Sequence, residues 1–230
     1  MIAIIGDIHG CFYTLKELVQ KIRTKYPGIT IYSTGDIVDR GKFSFETVEF
    51  IKNEKIIFVP GNHDYMFYYY FHFPTSVIAR TWLYNGNEAT LESYSKHKDK
   101  LEEHLNFLIR SPLYINLEHS FISHAGISKH YKRKLPKNPL GNIDLISKIA
   151  LESIENGYGI LWNRDELLDL GKLQIVGHTR HVEVTYNKHN NTVYIDTSVY
   201  TGNRLSSIIV EDNRVEDIIS VRTFPIDLGN

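Results

Sequence analysis

The feature that most constrains this chain is where its short apolar runs stop. Residues 1–5, 29–33 and 55–59 are apolar, strand-like runs, and each is followed closely by a glycine-containing polar phrase. The phrases are Gly6-Asp7-Ile8-His9-Gly10, Gly35-Asp36-Ile37-Val38-Asp39-Arg40-Gly41 and Gly61-Asn62-His63-Asp64. Between the first two runs, Phe12, Leu15, Leu18, Val19 and Ile22 fall within an arc of about 120° at about 100° per residue, the stripe of an amphipathic helix. Residues 45–51 read as a second helix, with Val48 and Ile51 on one side. Strand, helix, strand, helix, strand is the alternation of parallel βαβ units with right-handed crossovers. Ligand sites in such sheets form at the carboxyl ends of the strands, so the three polar phrases are expected along one rim.

Residues 65–110 read as mainly helical, with Leu101, Leu105 and Leu108 on one face, and short strands are expected at 113–117 and 121–123. The basic, proline-containing stretch 131–141 is expected to be an exposed loop. Helices are expected at 143–154 and 165–170, then strands at 173–176, 182–186, 192–195, 205–210 and 215–221. With no internal repeat and no Ser/Gly-rich linker, residues 1–230 are expected to form one α/β catalytic domain, two mixed β-sheets packed as a sandwich and flanked by helices. A chain of this size buries roughly 70–75% of its unfolded surface, enough for a core without covalent staples.

Charge narrows the partners. The 26 Lys and Arg against 27 Asp and Glu leave a net charge of −1, without the basic excess of most nucleic-acid binders, so no stable nucleic-acid partner is expected. The single cysteine, Cys11, excludes an internal disulfide, fits a reducing compartment and is expected to pack against the first helix. No apolar run reaches the ~20 residues that span a bilayer, and the first residues lack a signal-peptide pattern. A cytoplasmic protein with no membrane partner is the expectation.

Two further phrases, Ser123-His124-Ala125-Gly126 and Val176-Gly177-His178-Thr179, complete the polar set. Carboxylate, amide and imidazole side chains suit Mn, Fe, Zn and related divalent ions. Asp7 and His9, two apart in an extended segment, point the same way. In these five ordered phrases, with 24 residues between the first two and 19 between the next two, the sequence resembles the calcineurin-like metallophosphoesterase superfamily and, within it, the phosphoprotein phosphatases of bacterial and phage serine/threonine type. The phrases Trp82-Leu83-Tyr84-Asn85-Gly86, Ala89-Thr90-Leu91-Glu92-Ser93-Tyr94, Leu161-Trp162-Asn163-Arg164 and Tyr194-Ile195-Asp196-Thr197 extend the resemblance over nearly the whole chain.

That resemblance implies a metallophosphoesterase fold and two divalent ions, Mn first, with Fe, Zn or Ni as alternatives. Asp7 and His9 would bind one ion, Asp36 would bridge, and Asn62, His124 and His178 would complete the second. Such a pair acidifies a shared water and clamps attacking and leaving oxygens in line, giving direct attack of hydroxide on phosphorus without a phosphoenzyme. Arg40 and Arg164 would grip the phosphoryl oxygens. His63 would protonate the leaving oxygen, with Asp39 orienting its imidazole.

For substrate, the main expectation is a phosphoprotein carrying Ser/Thr phosphomonoesters, favoured by the Trp82 phrase and by Asp39. The alternative is a small phosphoester, through a nucleotide-directed enzyme such as a symmetrical diadenosine tetraphosphate hydrolase or a 2′,3′-cyclic phosphodiesterase. Asp64, where the protein phosphatases usually carry Glu, and Ser198, where glycine is usual, keep that alternative open. An inactive scaffold of the same fold is set aside because all six expected ligands are present. The aromatic stretch 65–73 is expected to be a helix packed on the core, and the basic residues of 129–137 a solvated face. Oligomeric state is not legible.

Overall fold

The structure is a computed structural model that describes residues 1–152, 154 and 156–229. Its first sheet runs β10-β9-β1-β2-β3, built from β1 (Ile2–Ile5), β2 (Thr30–Ser33), β3 (Ile57–Phe58), β9 (Arg204–Glu211) and β10 (Arg214–Arg222). The first three strands are parallel, while β9 pairs antiparallel with both β1 and β10. The second sheet runs β4-β5-β6-β8-β7, with β4 (Tyr114–Asn116), β5 (Ser120–Ser123), β6 (Leu173–Val176), β7 (Thr185–Asn187) and β8 (Thr192–Tyr194). Here β5, β6 and β8 are parallel and the two edge pairings antiparallel.

Strand periodicity divides the core. Ile4 joins Ile208, Val210, Ile122, Ile175 and Val193 in the apolar layer between the sheets. Its neighbours Ala3 and Ile5 face the opposite side, with Leu15, Leu18 and Ile22 of α1 (Phe12–Lys25) and Val48 and Ile51 of α2 (Ser44–Glu54). That layer also takes Met66 and Phe67 of α3 (Asn62–His72), Ile78 and Trp82 of α4 (Val77–Trp82), Tyr94 of α5 (Glu88–Tyr94) and Leu105 and Leu108 of α6 (Leu101–Arg110). The aromatic stretch 65–73 is thus mostly helix on core, as expected. On the outer face of the second sheet, α7 (Ile143–Glu152) brings Ile146 and Ile149 against Phe121 and Leu161.

The departures are local. The helix expected at 143–154 ends at Glu152, and position 153 lies outside the described residues. No helix forms at 165–170; Leu167 and Leu170 are buried along an irregular segment tied by the Leu168 amide to the Ile127 carbonyl and by a bridge from Leu167 to Ser128. The stretch 131–141 is not simply exposed, because two 3-10 turns, Lys129–Arg133 and Pro139–Gly141, bury Tyr131, Leu135 and Pro139 and leave the lysines outside. The strand expected at 182–186 starts only at Thr185. Among the described residues, no helix is long and apolar enough to cross a membrane.

Candidate metal centre

Both parallel triplets deliver their carboxyl ends to the same rim. Asp7 follows β1, Asp36 follows β2 and Asn62 opens α3 just after β3; His124, His178 and Asp196 follow β5, β6 and β8. All six are at most 6% exposed, so their charges meet away from bulk water. Two compact groupings result, His9–Asp36–His63 and Asp36–His124–His178, each with ligand atoms within 4.8 Å of one another and Asp36 common to both. Asn62 Oδ1 enters the second grouping, 3.0 Å from His124 Nε2 and 2.9 Å from His178 Nδ1. Asp7 stands just behind, accepting from the Thr34 hydroxyl at 3.1 Å and the His178 amide at 2.9 Å.

The hydrogen bonds at the back of this centre decide what its front can hold. His124 Nδ1 donates to the Thr34 carbonyl at 2.8 Å, which leaves a lone pair on Nε2. That lone pair faces Asn62 Oδ1 and, at 3.5 Å, Asp36 Oδ1, both acceptors. His9 repeats the arrangement, with Nδ1 on the Val38 carbonyl at 3.2 Å and Nε2 3.6 Å from Asp36 Oδ2. Facing oxygens and ring nitrogens at these distances need positive charge between them, from a ring proton or from a bound cation, and a mixed imidazole, amide and carboxylate set suits a divalent transition ion. Charge says the same. Burial pushes the Asp7 carboxyl up, and the neighbouring carboxylates Asp196 and Asp36 push it further. Burial also raises Asp36, yet the imidazoles of His124, His63, His9 and His178 together hold it below the usual carboxylate range. Burial lowers His9 and His178.

Beside the groupings, His63 Nδ1 donates to Asp39 Oδ2 at 2.7 Å and Arg40 Nη2 donates to His63 Nε2 at 3.0 Å. Asp39 is fully buried, and its carboxylate also accepts from the Trp82 indole and the Thr90 hydroxyl, both at 2.7 Å. Burial still raises its carboxyl. Arg164 is exposed at the edge of a cleft of about 580 Å³ that it lines with Gly177, Thr179, His181, Tyr186 and Tyr194. Every candidate site residue therefore lies in or against one centre.

Residue-type reading assigns no role in the centre to four contributors. Asp64 accepts from the amides of Ile37 and Gly61, tying the second polar phrase to the third. Trp82 and Thr90 sit in phrases that stood out by resemblance, but nothing in their spacing says that both aim at Asp39. Tyr200 stands edge-on to the His9 ring with centroids 4.9 Å apart.

Sheets, rim and converging ligands together are those of a metal-assisted phosphoesterase, and comparison with known proteins agrees. The family model for calcineurin-like phosphoesterases matches residues 1–220, and the chain belongs to that family. A protein of Oceanobacillus iheyensis named bis(5′-nucleosyl)-tetraphosphatase PrpE (asymmetrical) is 28% identical, over 97% of this chain and 94% of its own. A Bacillus cereus protein of the same name is 30% identical, over 89% of this chain and 88% of its own. Among solved structures, one titled a putative diadenosine tetraphosphatase superposes with a TM-score of 0.62 at 20% identity, covering 97% of this chain and 94% of that one.

Proposed function

We propose that the protein hydrolyses a small nucleotide polyphosphate, a dinucleoside tetraphosphate cleaved asymmetrically to a nucleoside triphosphate and a nucleoside monophosphate. The observation that carries this reading is the cleft of about 580 Å³ beside the metal centre, which Ala125 and Gly177, the chain neighbours of His124 and His178, help to line and which is within the size range of small-molecule sites. Tyr186 and Tyr194 offer ring faces for a nucleobase, and Arg164 and Lys188 offer cations for phosphates. The names of the relatives support the nucleotide-directed alternative over the phosphoprotein expectation, and asymmetrical over symmetrical cleavage. The Asp39–His63 pair had favoured a phosphoprotein, but a dyad that protonates a leaving oxygen serves either substrate.

Asp7, His9, Asp36, Asn62, His124 and His178 would hold two divalent ions, which when bound acidify a water and neutralise phosphoryl oxygens. Arg40 and Arg164 would orient the phosphoryl group. His63 would supply the proton to the leaving oxygen from Nε2, while Asp39 keeps the Nδ1 proton in place. Because Arg40 donates to that same Nε2, it would have to turn onto the phosphate, and Nε2 would have to take up a proton from solvent, before His63 can act as the acid.

The test is product analysis on Mn²⁺-loaded protein with diadenosine tetraphosphate, 2′,3′-cyclic AMP and a phosphoserine/phosphothreonine peptide panel, with Asn62→Ala as the background control. ATP plus AMP at the highest kcat/KM is expected. Two ADP would refute the cleavage position, and a preference for the peptides would return the phosphoprotein reading.

A further inference from the structure

One arginine at the rim has no part in the scheme above. Arg180, two residues beyond His178, is exposed and donates from Nη1 to the Tyr200 hydroxyl at 2.8 Å. The Tyr200 ring lies beneath the Arg40 guanidinium, whose central carbon is 4.1 Å from the ring centroid. The central carbon of Arg180 is 5.9 Å from the same centroid, so the two guanidiniums stand within about 10 Å of each other on one aromatic ring. That ring also touches His9, which fixes the pair against the metal centre. The side-chain polar contacts of these two arginines are His63 Nε2 and the Tyr200 hydroxyl, and among the described residues neither has a carboxylate within ion-pair reach.

Two cations held near each other with no carboxylate in direct ion-pair contact form an anion site. A guanidinium carries five N–H donors, and Tyr200 engages one Nη of Arg180, leaving donors to spare. A single phosphoryl group at the metal centre already has Arg40 and Arg164, so Arg180 is surplus for a phosphomonoester. A chain of phosphates has further charge beside the first group.

We propose that Arg40 and Arg180, spaced by the Tyr200 ring, form a two-phosphate clamp, with Arg40 on the phosphoryl group at the metal centre and Arg180 on the next phosphate of the same chain. The clamp would make the site selective for polyphosphates. This rests on the small-nucleotide reading and deepens it by naming the residue that distinguishes a polyphosphate from a monoester.

The test is calorimetric binding of two non-hydrolysable probes, methylenebisphosphonate and methylphosphonate, to Mn²⁺-loaded protein, with probe-into-buffer blanks. The wild type is expected to prefer the bisphosphonate by on the order of tenfold. Arg180→Ala should erase that preference mainly by weakening the bisphosphonate, and Arg180→Lys, which keeps the charge without the planar fork, should restore part of it. Tyr200→Phe keeps the ring under Arg40 and removes the hydroxyl. If Arg180→Ala and Tyr200→Phe both weaken the two probes equally and to the same extent, Arg180 is only a positioning residue for Tyr200 and the clamp is refuted. Full preference in Arg180→Ala also refutes it. Tetraphosphate turnover is scored separately: no turnover with the bisphosphonate preference intact removes the nucleotide reading and leaves the clamp standing.

Discussion

His9, Asp36, Asp39, Arg40 and His178 all have left-handed backbone, with φ of 48°, 47°, 75°, 72° and 61°. For residues with a Cβ this costs on the order of 1 kcal/mol or more each, so the surrounding contacts must hold it. Glycines were expected to supply the sharp turns at the strand ends, yet much of the turning falls on the functional residues themselves. Gly61 and Gly177 serve instead as clearances. A Cβ on Gly177 would meet Asp7 Oδ1 at 1.8 Å, and one on Gly61 would meet Asp36 Oδ1 at 2.0 Å. Gly177→Ala should therefore displace Asp7 and weaken metal loading about 10- to 100-fold while the circular dichroism stays native. Metal analysis after gel filtration reads this, and full loading in the variant would show that Asp7 does not matter there. The residues proposed for the site stand out in the sequence because ligand chemistry restricts residue type, and the fold gathers them at one rim. The strained backbone and the donors on Asp39 were not legible there, because both depend on neighbours far along the chain.

At the scale of elements, α2, α5 and α6 meet around one histidine. His104 Nε2 donates to Glu49 at 2.6 Å, and the Tyr94 hydroxyl lies 2.9 Å from its Nδ1. Lys52 pairs with Glu49 and Glu103, so this acidic cluster is already neutralised from within the protein. Burial lowers the His104 pKa despite Glu49. An unfolded chain, with His near 6.5, takes up its proton first, so stability from this site is present above about pH 6.5 and is lost as pH falls towards the depressed folded value. Glu49 is also lowered, its hydrogen bonds from His104 and Lys52 outweighing burial, and adds a second loss below about pH 4.5. Urea midpoints should accordingly fall between pH 7.5 and 5.5, and His104→Gln should flatten part of that slope; an unchanged slope would place the titration elsewhere. The periodicity of α1, α2 and α6 was readable because each buries one face. The segment 165–170 misled because its buried leucines are spaced as on a helix, whereas contacts to Ile127 and Ser128 hold it in an irregular, non-helical course.

Across the whole molecule, the first sheet joins strands from opposite ends of the sequence: β1 lies between β2 and β9. A β-rich end was legible from residue alternation, but which sheet it joins was not, since alternation carries no address. The same union of distant segments recurs at Asp227, which is buried and accepts from the amides of Tyr13 and Thr14 and from the Thr14 hydroxyl. It caps α1 from 213 residues away, where Cys11 provides no side-chain cap. Asp227→Ala should cost about 1–2 kcal/mol, read as a fall in denaturation midpoint; an unchanged midpoint would mean that water replaces the carboxylate. The Lys42 amide also donates to the Asp227 carbonyl, so this late residue braces the loop after Arg40. During synthesis, α1 and that loop emerge long before their clasp does. A nascent chain stalled short of residue 227 would hold every proposed ligand yet lack the latch on the helix and loop next to them, so the full bracing of α1 and of that loop waits until residue 227 has emerged.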